Sequence, residues 1–270
     1  MITTCDLKRC EQHTTLSTRD DKESAMADNK GNLFIGTSGW NYKVWKDGFY
    51  RGVKQKEWLQ YYASRFNTVE VNATFYRLLK ESTVAGWHEK TPADFSFAVK
   101  GSRYITHTKK LKPDPDSVAK QRDNLRALQD KISAVIWQLP ASLNKDPERL
   151  EDFANKLKDW PKAYHVLEFR DQSWFDRETA GLLAKHNLAN CISDAGKWPR
   201  WDEVTGSLAY FRLHGKPETY DSVYSDRELE EWAAWIKKLL ATEKTVHVYF
   251  DNTDAGAAVD NALKLQEIMA

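Results

Sequence analysis

The chain has 270 residues, with 40 Lys and Arg against 39 Asp and Glu, and 12% of its side chains are aromatic. That length buries a full core as one α/β barrel or two small domains, and one barrel is the expectation. Charge so nearly balanced excludes a whole-molecule field for nucleic acid or an acidic membrane, so any electrostatic recognition must be local.

Residues 1 to 30, rich in Thr, Ser, Asp and Lys, carry too little apolar surface to order themselves and read as a disordered polar tail. Residues 31 to 270 form the expected barrel domain. Met26 offers an alternative start, so whether residues 1 to 25 belong to the natural product is open. Cys5, Cys10 and Cys191 make no disulfide framework and suit a reducing cytosol, while Cys5, Cys10 and His13 fall one ligand short of a zinc clip. No apolar run approaches the roughly 20 residues of a membrane helix. The expectation is a cytoplasmic protein without a membrane partner, its oligomeric state unknown.

From Leu33 onward, β-branched or aromatic runs alternate with stretches of helical period. The runs are LFIGTSGW (33–40), TVEVNATFY (68–76), FSFAVKG (95–101), ISAVIWQLP (132–140), AYHVLEFR (163–170), LANCISD (188–194), LAYFRLHG (208–215) and TVHVYFDN (245–252). Between them, DPERLEDFANKLKDW places Asp146 as a cap, Pro147 in the first turn, and Leu150, Phe153, Ala154 and Leu157 on one stripe. SDRELEEWAAWIKKLL spaces Ser225 and Glu228 as a capping box before an apolar face of Leu229, Trp232, Ala233, Ile236 and Leu240. The helices after the second and sixth runs are less well marked: ESTVAGWHEK is short, and KWPRWDEVTG is broken by Pro199 and Gly206. Eight βα repeats predict a (β/α)₈ TIM barrel as a single domain, with an open doubly wound sheet as the alternative. GTSGW lacks the spacing of a dinucleotide fingerprint, which weakens that alternative.

Every run turns polar toward its C-terminal end, where barrel active sites lie. The sequence assigns Glu70, Glu168, Asp194 and His214 as acid, base and proton-transfer groups. Trp40, Asn72, Tyr76, Lys100, Arg103, His107, Gln138, Arg170, Arg212, Asp251 and Asn252 are the expected substrate-binding set. The plainer reading of each carboxylate is charge pairing, with Arg170 and Arg212 as natural partners of Glu168 and Glu70. The loops beside these ends add Lys109, Lys110, Lys112, Lys43, Lys46 and Arg51, interleaved with Tyr42, Trp45, Tyr50, Tyr104, Trp174, Trp198 and Trp201. A cationic rim with stacking surfaces suits a phosphorylated base, a sugar phosphate or a single nucleic-acid strand. About half of those aromatics are expected to belong to the core instead.

GTSGW (36–40), the set Glu70, Asn72, Thr74, Phe75 and Tyr76, FAVKG with His107, QLP (138–140), EFR (168–170), FRLHG (211–215) and YFDN (249–252) resemble the YecE-like family, domain of unknown function 72. The resemblance spans about residues 33 to 268 and implies a (β/α)₈ barrel without a settled reaction. Fold-level comparison of the family with metal-dependent sugar isomerases and apurinic endonucleases fixes no function. Such zinc nucleases use many His and carboxylate ligands, whereas only His214 and His107 stand at these strand ends. Ligand type allows at most a single divalent ion, held by Glu70, Glu168, Asp194 or Asp251.

Three readings follow, beside a noncatalytic sensor. The leading one is a hydrolase, lyase or isomerase acting on a small anionic molecule or nucleotide held by Lys100, Arg170 and Arg212. The second is a nucleic-acid-binding or processing protein. The third is a glycoside hydrolase, although Gln138 and His214 stand at the ends of strands four and seven, where a common clan of such barrels carries its two carboxylates.

Overall fold

The computed structural model describes residues 31–254 and 256–270, so the expectations for residues 1 to 30 lie outside them. The β-branched and aromatic runs form eight parallel strands: β1 (Leu33–Thr37), β2 (Thr68–Val71), β3 (Ser96–Lys100), β4 (Ile132–Gln138), β5 (Tyr164–Glu168), β6 (Ala189–Ala195), β7 (Leu208–Gly215) and β8 (Thr245–Phe250). Their order is β1-β8-β7-β6-β5-β4-β3-β2. A parallel bridge between Ser38 and Glu70 joins the two outer members, so the sheet closes into a TIM-type barrel.

That closure is thin. One bond of the bridge runs from Gly39 N to Glu70 O at 2.8 Å. Side chains supply the rest: Tyr62 Oη accepts from Thr37 N at 2.9 Å and donates to Thr68 O at 3.1 Å. Asn67 accepts from Ile35 N at 3.3 Å and donates to Leu33 O at 2.9 Å. The strands approach so closely that a Cβ on Gly36 would meet Thr68 O at 2.3 Å, which only glycine avoids.

The helices are α1 (Trp58–Ala63), α2 (Ala73–Tyr76), α3 (Glu81–Glu89), α4 (Ser117–Asn124), α5 (Pro147–Leu157), α6 (Arg177–Lys185), α7 (Asp226–Leu240) and α8 (Ala257–Met269). The Asp146 side chain caps α5, whose buried stripe is Leu150, Phe153, Ala154 and Leu157, as the spacing predicts. Ser225 and Glu228 form both halves of the capping box on α7. Ser225→Ala is expected to lower unfolding free energy by about 1 kcal/mol in urea titration, because it leaves an amide of the first turn without an acceptor.

Two expectations are corrected. The run 68–76 is no single strand: β2 ends at Val71, Asn72 turns into the right-handed helical region, and Ala73–Tyr76 is a helical turn. After β6 the segment 196–207 forms no helix, consistent with its Pro199 and Gly206.

Period-two alternation divides the core. Inward positions Ala98, Ala134, Ile136, Val166, Ala189, Cys191, Leu208, Tyr210 and Tyr249 fill the barrel, while outward positions such as Val99, Leu167, Phe211 and Phe250 pack in the larger layer beneath the helices. No helix among the described residues is long and apolar enough to cross a membrane.

Candidate functional site

Continuing the inward phase toward the strands' C-terminal ends brings Ser38, Glu70, Lys100, Gln138, Glu168, Ser193, Arg212, His214 and Asp251 to the mouth. Arg212 is the hub. Its Nε lies 3.1 Å from each Glu70 oxygen and its Nη2 2.7 Å from Glu70 Oε1. Its Nη1 donates to Glu168 Oε2 at 2.9 Å, and its Nη2 to Asp251 Oδ2 at 2.9 Å. Glu70 also accepts from Ser38 Oγ at 2.6 Å and Tyr210 Oη at 2.7 Å. Ser193 Oγ donates to the other Glu168 oxygen at 3.1 Å, which Arg170 also pairs. Glu70, Glu168 and His214 are fully buried and Arg212 nearly so.

Burial opposes charge on these groups, and the pairing overcomes it. Desolvation would raise the carboxyl of Glu168, yet Arg170 and Arg212 hold it well below the usual range. Desolvation is likewise outweighed at Asp251, by Arg212 and then His214. Burial alone would lower Arg212, but Glu70, Glu168 and Asp251 keep it firmly protonated. His214 Nδ1 lies 2.9 Å from Asp251 Oδ2, but the approach is too far off line for a formed hydrogen bond. Its Nε2 is 3.7 Å from Glu168 Oε1, and its ring meets Trp198 and Tyr220 edge to face.

Above this buried layer stands a partly solvated rim of Lys100, Gln138, Arg170, Asn72, His107 and Trp198. The Arg170 guanidinium lies 3.7 Å over the Trp198 ring, while its buried Nε lacks a partner among the described residues. Asn72 donates to Ser38 Oγ at 2.8 Å and leaves its own buried Oδ1 unpaired. Burial first, then Arg212, lowers the Lys100 amine to about 8. Burial first, then Lys100, Arg103 and Arg170, lowers His107.

Several sequence-assigned residues are not brought into this cluster. Asp194 takes the outward phase of β6 and pairs Arg200 at 3.1 Å, Lys216 at 3.3 Å and Tyr224 Oη at 2.8 Å. Asn252 also falls on the outward phase, donating to Ser222 O and Asn261 Oδ1, each at 2.9 Å. Tyr76 and Arg103 are exposed, and half-buried Trp40 packs edge-on against Trp87. Of the interleaved aromatics, Trp45, Tyr50 and Trp174 are core. Lys109 is committed to Asp114 at 3.1 Å. Ser38 stood among the polar strand ends of the sequence without a role, and Ser193, Tyr210 and Tyr220 were absent from them, because neutral hydroxyls carry little signal without the inward phase.

The donors do not fit a divalent ion. Glu70, Glu168 and Asp251 converge on a guanidinium, Asp194 faces away, and among the described residues no three or more His, Cys, Asp or Glu are placed to hold a metal ion. A cleft of about 850 Å³ opens at the other end, around the starts of β5 and β6, and no carboxylate lines it.

The sequence profile described as "Protein of unknown function DUF72" matches residues 34–270. The chain is 26% identical to the UPF0759 protein YunF of Bacillus subtilis strain 168, over 88% of this chain and 94% of that one. It is 30% identical to the UPF0759 protein YecE of Escherichia coli K12, over 53% of this chain and 50% of that protein. The crystal structure of a DUF72 family protein from Thermotoga maritima MSB8 superposes with a TM-score of 0.79 at 28% identity, covering 88% of this chain and 99% of its own. A matching profile over nearly all the described barrel, with the same fold in that relative, makes this chain a member of the DUF72 family.

Proposed function

We propose that this barrel is an enzyme acting on a small anionic molecule, phosphorylated or nucleotide-like, at the C-terminal mouth. The observation that carries the reading is the rim: Lys100, Arg170 and His107 converge there, and the buried Arg170 Nε and Asn72 Oδ1 lack partners among the described residues. A buried polar atom without a partner costs about 1–3 kcal/mol, so a ligand that supplies an acceptor to Arg170 and a donor to Asn72 recovers that cost. Trp198, already stacked on Arg170, adds an aromatic surface beside the charge. The buried layer beneath serves to hold Arg212 and to set His214 between Asp251 and Glu168, where its imidazole can exchange a proton against fixed negative charge.

The other readings draw less support. A glycosidic general acid needs a raised pKa, and Glu168 is depressed by its two arginines. A nucleic-acid track loses Lys109 to Asp114.

Thermal unfolding with inorganic phosphate, adenosine monophosphate and glucose 6-phosphate tests the proposal. Ligand at a hundred times its dissociation constant adds about 2.7 kcal/mol, which raises the midpoint by roughly 5–10 °C for a domain of this size. Arg170→Gln is expected to weaken the effective ligand about tenfold. A midpoint unmoved by every member of the panel would overturn the reading.

A further inference from the structure

We infer that Lys100 is a nucleophile toward a carbonyl substrate that also carries a carboxylate or phosphate, an inference that rests on the anion-binding reading of the same mouth. Lys100 ends β3 on the inward phase of Ala98, so its side chain enters the mouth. Its backbone is fixed twice: Lys100 O accepts from Thr74 Oγ1 at 2.7 Å and from Gln121 Nε2 at 3.1 Å. Its Nζ lies 4.5 Å from the centroid of the Phe75 ring, an aromatic face that positions the amine without neutralising it.

A buried lysine that serves structure finds acceptors, as Lys131 Nζ does at His88 O and Thr91 O, each at 2.9 Å. Lys100 makes no ion pair among the described residues. The charged groups that face it are Arg212 from β7, Glu168 from β5, Glu70 from β2 and Asp251 just past β8, with Arg170 and His107 at the rim. The three carboxylates are engaged with Arg212, so none is free to fix the Lys100 proton. With the amine lowered to about 8, roughly a tenth of it is neutral at pH 7. That is on the order of a hundred times the neutral fraction of a free lysine. Desolvation beside other cations is a general way to activate a lysine for Schiff-base chemistry.

The step balances without a further reactant. The ammonium first releases a proton to solvent, and the Nζ lone pair forms a bond to the carbonyl carbon while the C=O π pair moves to oxygen. A proton passes from nitrogen to that oxygen. A second proton, equal to the one first released, lets the hydroxyl leave as water while the nitrogen lone pair closes the C=N bond. Ammonium plus carbonyl thus gives iminium plus water, with no net change in protons or electrons. Arg170 holds the substrate's anionic group, and His214 lies on the same face to exchange the proton.

The test is borohydride trapping on the full chain with pyruvate and, separately, glyceraldehyde 3-phosphate, read by intact mass and peptide mapping. Hydride adds to the iminium carbon and fixes the adduct. The expected result is one adduct per chain, on the Lys100 peptide, formed at least about tenfold faster than at any other lysine and suppressed by inorganic phosphate. Lys100→Arg is expected to abolish it. The two carbonyl probes separate a carboxylate-bearing from a phosphate-bearing substrate. Adducts spread over surface lysines with no lead for Lys100 overturn the inference, and the wild-type map decides this even if the variant fails to fold. The phosphate-induced thermal shift is read in the same preparation: a shift without a Lys100 adduct overturns the nucleophile and keeps the anion site, whereas loss of both overturns both.

Discussion

Arg212→Met lowers the stability of the barrel by about 3–5 kcal/mol, because it leaves Glu70, Glu168 and Asp251 in the interior without their shared counter-charge. A domain of this size loses about 2–4 °C of melting temperature per kcal/mol, so the midpoint falls by roughly 10 °C. Arg212→Lys keeps a positive charge but not the planar fork that reaches three carboxylates at once, and it falls between the two. Adding Glu70→Gln to Arg212→Met removes one stranded charge and is expected to recover part of the loss, a coupling that a double-mutant cycle measures directly. Urea unfolding of the four proteins decides the matter. A loss below about 1 kcal/mol for Arg212→Met would mean that water, rather than the guanidinium, satisfies these carboxylates.

Stability is also expected to fall between pH 6.5 and about 4.5, above the range in which carboxylates titrate. His165 is buried with its two ring nitrogens committed: Nδ1 accepts from Trp137 Nε1 at 3.1 Å, and Nε2 faces Trp160 O at 3.0 Å. Burial lowers its pKa from 6.5 to about 4, and lowers that of His247, which lies inside the barrel, to about 3. Both folded values lie below the unfolded one, so the unfolded chain binds more protons as pH drops. The stabilising difference is therefore complete above pH 6.5 and is lost on the way down to the folded values. Each imidazole accounts for on the order of 3 kcal/mol over that window. Glu168 and Asp251, also depressed, begin to lose their contribution only as pH falls through their unfolded values of 4.5 and 3.8, so the span above about pH 4.5 reports the imidazoles. Urea titrations at pH 7, 6, 5 and about 4.5 are the measurement. His165→Gln should flatten the slope by about 1.4 kcal/mol per pH unit. A wild-type curve level across the window would contradict neutral burial of both rings.

The architecture was readable because each strand carries its own composition signal, and β7 coincides with the run LAYFRLHG. What was not readable was phase. In β7 the inward Arg212 and His214 alternate with the outward Phe211 and Leu213, so chemistry itself marks the faces. In β6 both faces are buried, as is usual for a parallel barrel strand, and CISD carries one polar residue on each. Asp194 was therefore assigned to the cluster, and neighbouring Ser193, which does reach Glu168, was overlooked. Asp251 and Asn252 form the same kind of adjacent polar pair, split between the two sides of the wall. The mutual pairing of Arg212 with Glu70 was accessible as a charge argument, but its convergence with Glu168 and Asp251 depends on register around the whole barrel.

Where most neighbouring strands share full ladders, β1 and β2 meet through one bridge and the borrowed hydroxyl and amide of Tyr62 and Asn67. The wall therefore has a preferred parting line. Ser38 and Glu70 are its two lips, and Glu70 is also the carboxylate with the most contacts to Arg212. Any widening of that seam draws Glu70 away from the guanidinium it grips most, so the closure of the wall and the charge presented beneath the opening are tied together.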